Sequence, residues 1–271
     1  MGAAGCLVTF LAALCAVALA AGPNTTATDH VWKDVQQEGE FNWWAERLPS
    51  IIAGDSKAEW RRTYRSYFRA NGGFNINTRF VGKHVVDVGS GPRPLAASFT
   101  GAKVACIEPL GSRFLQWMDE RRKAGNVSKD DYLELEQCYR VFSTPAETPV
   151  PELLGTADVV LSTNSLDHAL NPTAYLESCA TYLRDNTSFV LLTVDLHTRT
   201  DELHQMKFTL TRLMNAVEAA GLELTRASCT GKPAHPGISD ASCWVVLRKC
   251  PYGEASCNQS REEAKRLQPH F

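Results

Sequence analysis

The sequence HVVDVGSGPRP, residues 84–94, decides the fold of this chain. Its valine-rich start predicts a buried strand that carries an acidic side chain, Asp87, and stops at the glycines Gly89 and Gly91. Glycine lets the backbone turn sharply and approach a bound molecule, and a helix is expected to begin just after it. In an open α/β sheet, ligands bind at the carboxyl ends of such strands. The stretch therefore predicts a strand, a ligand-binding loop and a helix.

Six further runs of apolar, β-branched residues follow, separated by stretches of helical character. This alternation predicts crossover connections, and hence an α/β domain whose mainly parallel seven-stranded sheet has helices on both faces. The last two strands are joined only by a Gly/Pro-rich loop, so they are expected to pair antiparallel. The predicted strands are 84–88, 103–107, 139–142, 157–162, 188–194, 222–227 and 242–248, and the predicted helices are 94–99, 112–137, 173–183 and 202–220.

Apolar and aromatic residues recur every three to four positions in 32–48 and again in 55–70, which predicts two amphipathic helices. We expect them to form an N-terminal helical cap, residues 23–80, on the sheet domain, residues 81–248, with a Cys-containing tail, 249–271, after it. Aromatic side chains of the cap either pack on the sheet or form a lid over a small substrate; they are Trp43, Trp44, Trp60 and Tyr64.

The composition is that of an ordinary globular protein. The chain has 271 residues, a formal charge of −2 and 44% hydrophobic residues. These values exclude a disordered chain, and the balanced charge argues against nucleic acid as a partner. A small molecule is the expected partner.

The first 22 residues predict a secretory signal peptide. They carry no charged side chain, and 6–21 is a run of apolar residues interrupted only by Thr9. Small residues at alternate positions near its end, Ala18 and Ala20, are typical of a signal peptidase site. The run is short for a membrane span, and an uncleaved anchor is the alternative. The predicted location is therefore secreted or the lumen of the ER and Golgi, with membrane attachment only if the segment is retained.

Cysteines and sequons agree with that route. Removing the first 22 residues leaves seven of nine cysteines, so at least one thiol stays free or pairs with another molecule. Four of them crowd the last 43 residues, where an oxidising lumen favours one or two disulfides: Cys229, Cys243, Cys250 and Cys257. Four Asn-x-Ser/Thr sequons predict a glycoprotein, at Asn24, Asn126, Asn186 and Asn258.

The loop chemistry indicates which nucleotide the site accepts. Glu108 ends the second strand, 21 residues after Asp87, where a carboxylate can accept hydrogen bonds from both hydroxyls of a ribose. A dinucleotide fingerprint needs a third glycine where this chain has Pro94. A carboxylate at Asp87 suits a cationic amino acid portion better than a diphosphate. The implied ligand is adenosine that carries a positively charged amino acid.

At this point the sequence resembles the class I S-adenosylmethionine-dependent methyltransferases, in particular the small-molecule type often called methyltransferase type 11. The resemblance runs from about Val81 to Arg248, with Arg93 where the family usually has a third glycine. Four motifs carry it in order: VVDVGSG (85–91), ACIEP (105–109), TPAETP (144–149) and ADVVLSTNSLDHALNP (157–172).

The resemblance implies a Rossmann-like fold and S-adenosylmethionine as the cofactor. It assigns the acid after the second strand to the ribose, the segment after the third strand to the adenine, and the loop after the fourth strand to the sulfonium and the acceptor. The implied cofactor-binding residues are Asp87, Gly89, Ser90, Gly91, Glu108, Pro109, Ala146, Glu147, Asn164 and Leu166.

Three residues are candidates for catalysis: His168, Asp195 and His197. His168 is either a general base over the methyl donor or a structural histidine at a helix start, and methyl transfer often needs only alignment. Asp195 and His197 follow the fifth strand and are expected to line the acceptor pocket. With His168 and His204 they also offer metal ligands, but the acceptor pocket is favoured and no metal is expected.

The predicted function is methyl transfer from S-adenosylmethionine to a small-molecule acceptor in the secretory pathway. The alternative is a binding protein that has kept the fold but lost turnover. A nicotinamide-dependent oxidoreductase is the third hypothesis, and Pro94 in the glycine loop argues against it.

Overall fold

A computed structural model describes residues 36–53, 62, 75–128, 132–201, 203–204, 206–230 and 240–250. The predicted signal segment, the C-terminal tail from 251 and nearly all of the second cap helix, 55–70, lie outside the described residues.

A single seven-stranded sheet in the order β3-β2-β1-β4-β5-β7-β6 organises the described chain. Strands β1 to β5 pair in parallel, and β7 runs antiparallel to both of its neighbours, β5 and β6. The predicted mainly parallel α/β fold, with the last two strands antiparallel to each other, is confirmed. The strands are β1 His84–Val88, β2 Lys103–Ile107, β3 Arg140–Phe142, β4 Val159–Thr163, β5 Phe189–Leu196, β6 Leu222–Thr230 and β7 Ala241–Lys249.

Helices cover both faces of the sheet. They are α1 Gln37–Ala53, α2 Ile76–Arg79, α3 Gly111–Lys123, α4 Pro172–Tyr182 and α5 Leu210–Ala219. Short 3-10 turns span Leu95–Ser98, Glu134–Gln137, Pro151–Leu153 and Leu166–His168.

The core forms two layers because alternate strand residues point to opposite faces. On β5, Leu192 and Val194 belong to the layer that packs under α4 and α5. Leu191 of the same strand belongs to the opposite layer, which also holds Phe114 of α3 and Leu48 of α1. The described cap helix is therefore an integral part of the domain core.

Helix ends differ from the sequence prediction where packing overrides local signals. The prediction ended the first cap helix at Leu48, before Pro49, but α1 continues to Ala53. Leu48 and Ile52 lie one turn apart and are both buried, so packing compensates for the hydrogen bond that proline lacks. The predicted helix 94–99 is instead a 3-10 turn, Leu95–Ser98, that Asp87 caps.

Two predicted helices were too long. The segment 112–137 ends its α-helix at Lys123, and Gly125 follows with a left-handed φ of 71°. The segment 202–220 becomes helical only at Leu210, because Phe208 pairs with His197 beyond the end of β5. The backbone before α5 is thereby fixed at the sheet edge.

Two disulfides join described residues. Cys229 and Cys243 link β6 to β7, as the crowding of cysteines near the C-terminus predicted, and Cys106 links β2 to Cys138 before β3. Cys250 is disulfide-bonded as well, and Cys179 is a buried free thiol. Among the described helices, none combines the length and the apolar character that a membrane crossing requires.

Candidate functional site

The glycine loop is fixed between the ends of β1 and β2. Gly89 and Gly91 have φ values of 62° and 59°, in the left-handed region that favours glycine. The N–H groups of Gly89 and Ser90 both donate to the carbonyl of Ile107, at 2.8 and 3.3 Å. The loop therefore lies over the carboxyl end of the sheet, as its sequence predicted.

Asp87 lies in β1 with its carboxylate fully buried. Oδ2 accepts a hydrogen bond of 3.1 Å from the N–H of Ala96, while Oδ1 is buried without a hydrogen-bond partner. Burial raises the pKa of this carboxyl to about 7, and Glu108 adds to the shift. A buried, unpartnered carboxylate oxygen is costly by itself, and a ligand ammonium group would compensate it.

Glu108 follows β2 and faces the same loop. Its Oε2 accepts from the N–H of Gly91 at 2.7 Å, and its Oε1 accepts from the N–H of Leu110 at 2.9 Å. Burial raises its pKa to about 8, with a further contribution from Glu40. Each carboxylate oxygen keeps a second lone pair, so ribose hydroxyls can still donate to it. Pro109 directly follows Glu108 in the turn that leads into α3.

The cap helix contributes Trp44, which the sequence indicated as a packing or lid residue, and Glu40, which it did not identify. The ring of Trp44 lies beside Gly91, where an added Cβ would be 3.7 Å from it. The carboxyl of Glu40 is hydrogen-bonded to Trp44, and burial, chiefly, raises its pKa to about 7. Glu40 interacts electrostatically with both Glu108 and Asp167. The cap therefore borders the glycine loop and connects it to the loop after β4.

The loops after β3 and β4 are tied together by Glu147. Its Oε1 accepts from the N–H groups of Leu170 and Asn171, at 2.9 and 3.3 Å, and burial raises its pKa. Ala146 beside it is buried. The described contacts of Glu147 are thus with the backbone of the β4 loop, and they position the segment that the family motif assigns to the adenine.

The loop after β4 is held against β1 by a buried hydroxyl network. Tyr175 Oη donates to the carbonyl of Val88 at 2.9 Å and lies 2.8 and 2.9 Å from the Oγ atoms of Ser165 and Ser162. Asn164 adopts a left-handed φ of 52°, and Leu166 is fully buried in the core. The network holds the loop after β4 against the end of β1, next to the glycine loop.

Arg93, which replaces the usual third glycine, turns away from the site. Its Nη2 lies 3.4 Å from Oε1 of Glu134, and both side chains are buried. The substitution therefore adds a buried ion pair between the glycine loop and the segment before β3.

The three catalytic candidates occupy different surroundings. Asp195 on β5 accepts a hydrogen bond from Ser242 on the adjacent β7. His197 is buried, with Nδ1 2.8 Å from the carbonyl of Arg199, and the half-buried His168 has Nδ1 3.2 Å from the carbonyl of Leu203. The rings of His168 and His197 both adjoin His204, with centroids 4.4 and 4.8 Å away. The structure thus brings the two candidate histidines together around His204, while Asp195 is bonded across the sheet.

The electrostatics of the loop favour a cation. Among the described residues, Asp87, Glu108 and Glu40 form no ion pair with lysine or arginine, and the pKa of each is raised by burial. A cofactor with a sulfonium and an ammonium group compensates these carboxylates, whereas a diphosphate would be repelled by them. The residues present therefore fit S-adenosylmethionine and disfavour a nicotinamide dinucleotide.

Comparison with known structures gives the same fold. The [4+2]-cyclase SpnF aligns with 79% of this chain and 96% of its own at 13% identity and a TM-score of 0.54. An O-methyltransferase from a multienzyme of Brevibacillus brevis, in complex with S-adenosyl-L-homocysteine, covers 81% of this chain and 85% of its own (12% identity, TM-score 0.52). Geranyl diphosphate methyltransferase in complex with GPP and sinefungin covers 70% and 78% (10% identity, TM-score 0.50).

No curated protein sequence matches the chain at a significant level. A family model described as a methyltransferase domain matches residues 60–227, which is more than half of the chain and includes all four sequence motifs. Together with the acidic cradle at Asp87 and Glu108, this match establishes the family. The chain belongs to the methyltransferase domain family and is an S-adenosylmethionine-dependent methyltransferase of class I.

Proposed function

We propose that this enzyme methylates a small-molecule acceptor within the secretory pathway. The observation that carries the enzymatic part is the buried acidic cradle at the carboxyl ends of β1 and β2, which a cationic methyl donor would neutralise. S-adenosylmethionine, when bound, supplies an electrophilic methyl group on a sulfonium. The chain supplies the binding site for it and orients the acceptor opposite the methyl–sulfur bond.

A small acceptor fits beside the loop after β4, residues 164–171, which we call the acceptor-side loop. Residues 164–170 after β4 are buried or half-buried, His197 after β5 is buried, and the cap residues Glu40 and Trp44 border the same region. His168 and His197 are the candidates for acceptor contacts. One protein of the same fold, geranyl diphosphate methyltransferase, is named for a small-molecule acceptor and was crystallised with GPP.

The proposed secretory location is supported by disulfide bonds, which form and persist in an oxidising compartment. Two disulfides join described residues, Cys106 with Cys138 and Cys229 with Cys243. Disulfides persist in the secretory pathway and are rare in the cytosol. The apolar segment 1–22 provides the expected entry signal.

The function is tested by calorimetric titration of the purified protein with S-adenosylmethionine and S-adenosylhomocysteine, followed by a metabolite screen with methyl-labelled cofactor. We expect both molecules to bind and label to appear in one class of small metabolite. Binding without any transfer would support the alternative of an inactive binding protein. Absence of binding to either molecule would contradict the proposal.

The location predicts glycans on the secreted protein. The sequons at Asn126 and Asn186 lie on exposed turns, after α3 and after α4, where a glycan is sterically accommodated. We expect the intact mass of secreted protein to lack residues 1–22 and to fall after glycosidase treatment. Replacing Asn126 or Asn186 with Gln should each remove one glycan if that site is used. A secreted protein that retains Met1 and shows no mass change with glycosidase would contradict the prediction.

A further inference from the structure

Three side chains from separate loops meet beside the acceptor-side loop. Asp167 belongs to the 3-10 turn after β4, His197 follows β5, and His204 lies in the segment before α5. One potential ligand atom from each lies within 4.8 Å of the other two; Asp167 and His197 are buried, and the side chain of His204 is 12% exposed. We name these residues the Asp167 cluster.

In both histidines of the cluster, an oxygen atom next to Nδ1 fixes the orientation of the ring. His197 Nδ1 lies 2.8 Å from the carbonyl oxygen of Arg199, and His204 Nδ1 lies 2.8 Å from Oδ1 of Asp201. An oxygen acceptor at Nδ1 favours the tautomer with the proton on that nitrogen, which leaves a lone pair on Nε2. The same arrangement, in which a carboxylate or carbonyl holds the far nitrogen, orients histidines that bind metals.

The atoms that face one another lack hydrogen-bond partners. Nε2 of His197 and both carboxylate oxygens of Asp167 are buried and make no hydrogen bond. His204 Nε2 is 3.6 Å and His168 Nε2 is 3.8 Å from Oδ2 of Asp167, too far for a hydrogen bond. Within the described residues, no lysine or arginine pairs with Asp167. A buried carboxylate in this position requires a cation.

The spacing fits an ion between the side chains. Two ligand atoms bound tetrahedrally at about 2.0–2.2 Å from one metal lie roughly 3.3–3.6 Å apart. The 3.6 Å between His204 Nε2 and Asp167 Oδ2 agrees with that separation. Direct ion pairing of a charged histidine with Asp167 would instead bring donor and acceptor to roughly 2.7–2.9 Å.

We propose that Asp167, His197 and His204 bind a divalent transition-metal ion of the zinc type, through one carboxylate oxygen and two Nε2 atoms. Two imidazoles and one carboxylate favour zinc, cobalt or iron over magnesium and calcium, which take oxygen ligands. Three protein ligands leave a coordination position for water or for a donor atom of the acceptor. The sequence favoured an acceptor pocket without a metal here, and the proposed site adds an ion to that pocket. Binding of the ion itself does not depend on the proposed function; only a role of the ion in binding the acceptor rests on it.

Metal content tests the site directly. The full secreted chain is dialysed against EDTA and titrated with Zn²⁺ by calorimetry and with Co²⁺ by visible absorption, which reports coordination geometry. We expect one equivalent to bind, and His204→Ala or Asp167→Asn to weaken binding at least about 100-fold. Asp201→Asn removes the negative charge beside His204 Nδ1 but keeps a side-chain oxygen that can accept from the N–H groups of Leu203 and His204. This variant is expected to weaken binding about 10–100-fold.

The matched control is His84→Gln. His84 contacts the carbonyl of Thr156 and the hydroxyl of Tyr139, outside the cluster, so this variant is expected to keep wild-type metal affinity. S-adenosylhomocysteine binding, measured on every variant, reports folding and tests the proposed function separately. Failure of the wild type to bind Zn²⁺ or Co²⁺ would overturn the site. So would equal affinity in His84→Gln, Asp201→Asn and His204→Ala, because the ion would then bind elsewhere. Should His204→Ala or Asp167→Asn fail to fold, Asp201→Asn decides, and unchanged affinity in it would also overturn the proposal.

Discussion

Replacing Gly89 with alanine is expected to lower the free energy of unfolding by about 2–5 kcal/mol. Part of this cost is conformational, because Gly89 has a φ of 62° and a left-handed backbone costs a residue with a Cβ about 1–2 kcal/mol. The remainder is steric. The new methyl group would overlap Cβ and Oγ of Ser165 and lie 3.2 Å from the hydroxyl of Tyr175. Ser165 cannot yield easily, since Tyr175 and the carbonyl of Val88 hold its hydroxyl.

The matched control is Gly155→Ala. Gly155 has a φ of 64°, but an added Cβ there would meet nothing within 4 Å. The control should therefore show only the conformational part of the destabilisation. Urea denaturation of the two variants then separates the conformational cost from the steric cost. Equal destabilisation of Gly89→Ala and Gly155→Ala would show that the close approach of the glycine loop to the β4 loop is absent. Because that approach sets the distance between cofactor and acceptor loops, Gly89→Ala should also weaken S-adenosylhomocysteine binding, and Gly155→Ala should not.

The strands were predictable because their signals are local. The bounds of β1 and β2, His84–Val88 and Lys103–Ile107, agree with the sequence prediction at both ends. Each is a short apolar run that stops at a glycine or an acid, so no distant contact is needed to define it. Helix ends depended on partners far along the chain. The start of α5 is set by the pairing of Phe208 with His197, and sequence periodicity carries no record of that pairing.

The residues of the site also fall into two groups, those placed by local sequence motifs and those placed by contacts between distant parts of the chain. Asp87 and Glu108 belong to motifs of a few residues, so their positions followed from the sequence. Glu40 reaches the loop only because α1 packs on the sheet, and it lies 68 residues before Glu108 in the chain. The Asp167 cluster draws on three loops whose proximity arises from the order of β4 and β5 in the sheet. Its residue types were visible in the sequence, but the Nε2 atoms that face the cluster and the unpartnered carboxylate were not.

Glu108→Gln and Asp87→Asn are each expected to weaken S-adenosylhomocysteine binding by about 1.5–3 kcal/mol, or about 10–150-fold, at pH 8. Both changes keep the shape of the side chain and remove its negative charge, so the folded state is expected to persist. Charge-assisted hydrogen bonds to the ammonium and ribose groups are lost. Glu152→Gln is the control, because Glu152 is an exposed acid paired with Arg140 away from the site. Titration calorimetry of the four proteins provides the measurement, and unchanged affinity in both site variants would remove the basis for the cofactor assignment.

The pH dependence of binding gives an independent check on the same two carboxyls. Burial raises the pKa of Asp87 to about 7 and that of Glu108 to about 8, so each is partly protonated in the cofactor-free protein near neutrality. A cationic ligand favours the ionised forms, and binding must therefore release protons. The affinity of the wild type for S-adenosylhomocysteine should therefore rise between pH 6 and pH 8, because a larger fraction of both carboxyls is already ionised at the higher pH. The double variant Asp87→Asn/Glu108→Gln should lose this rise, whereas a carboxyl whose pKa stayed near its ordinary value of about 4 would already be ionised and give no dependence in this range.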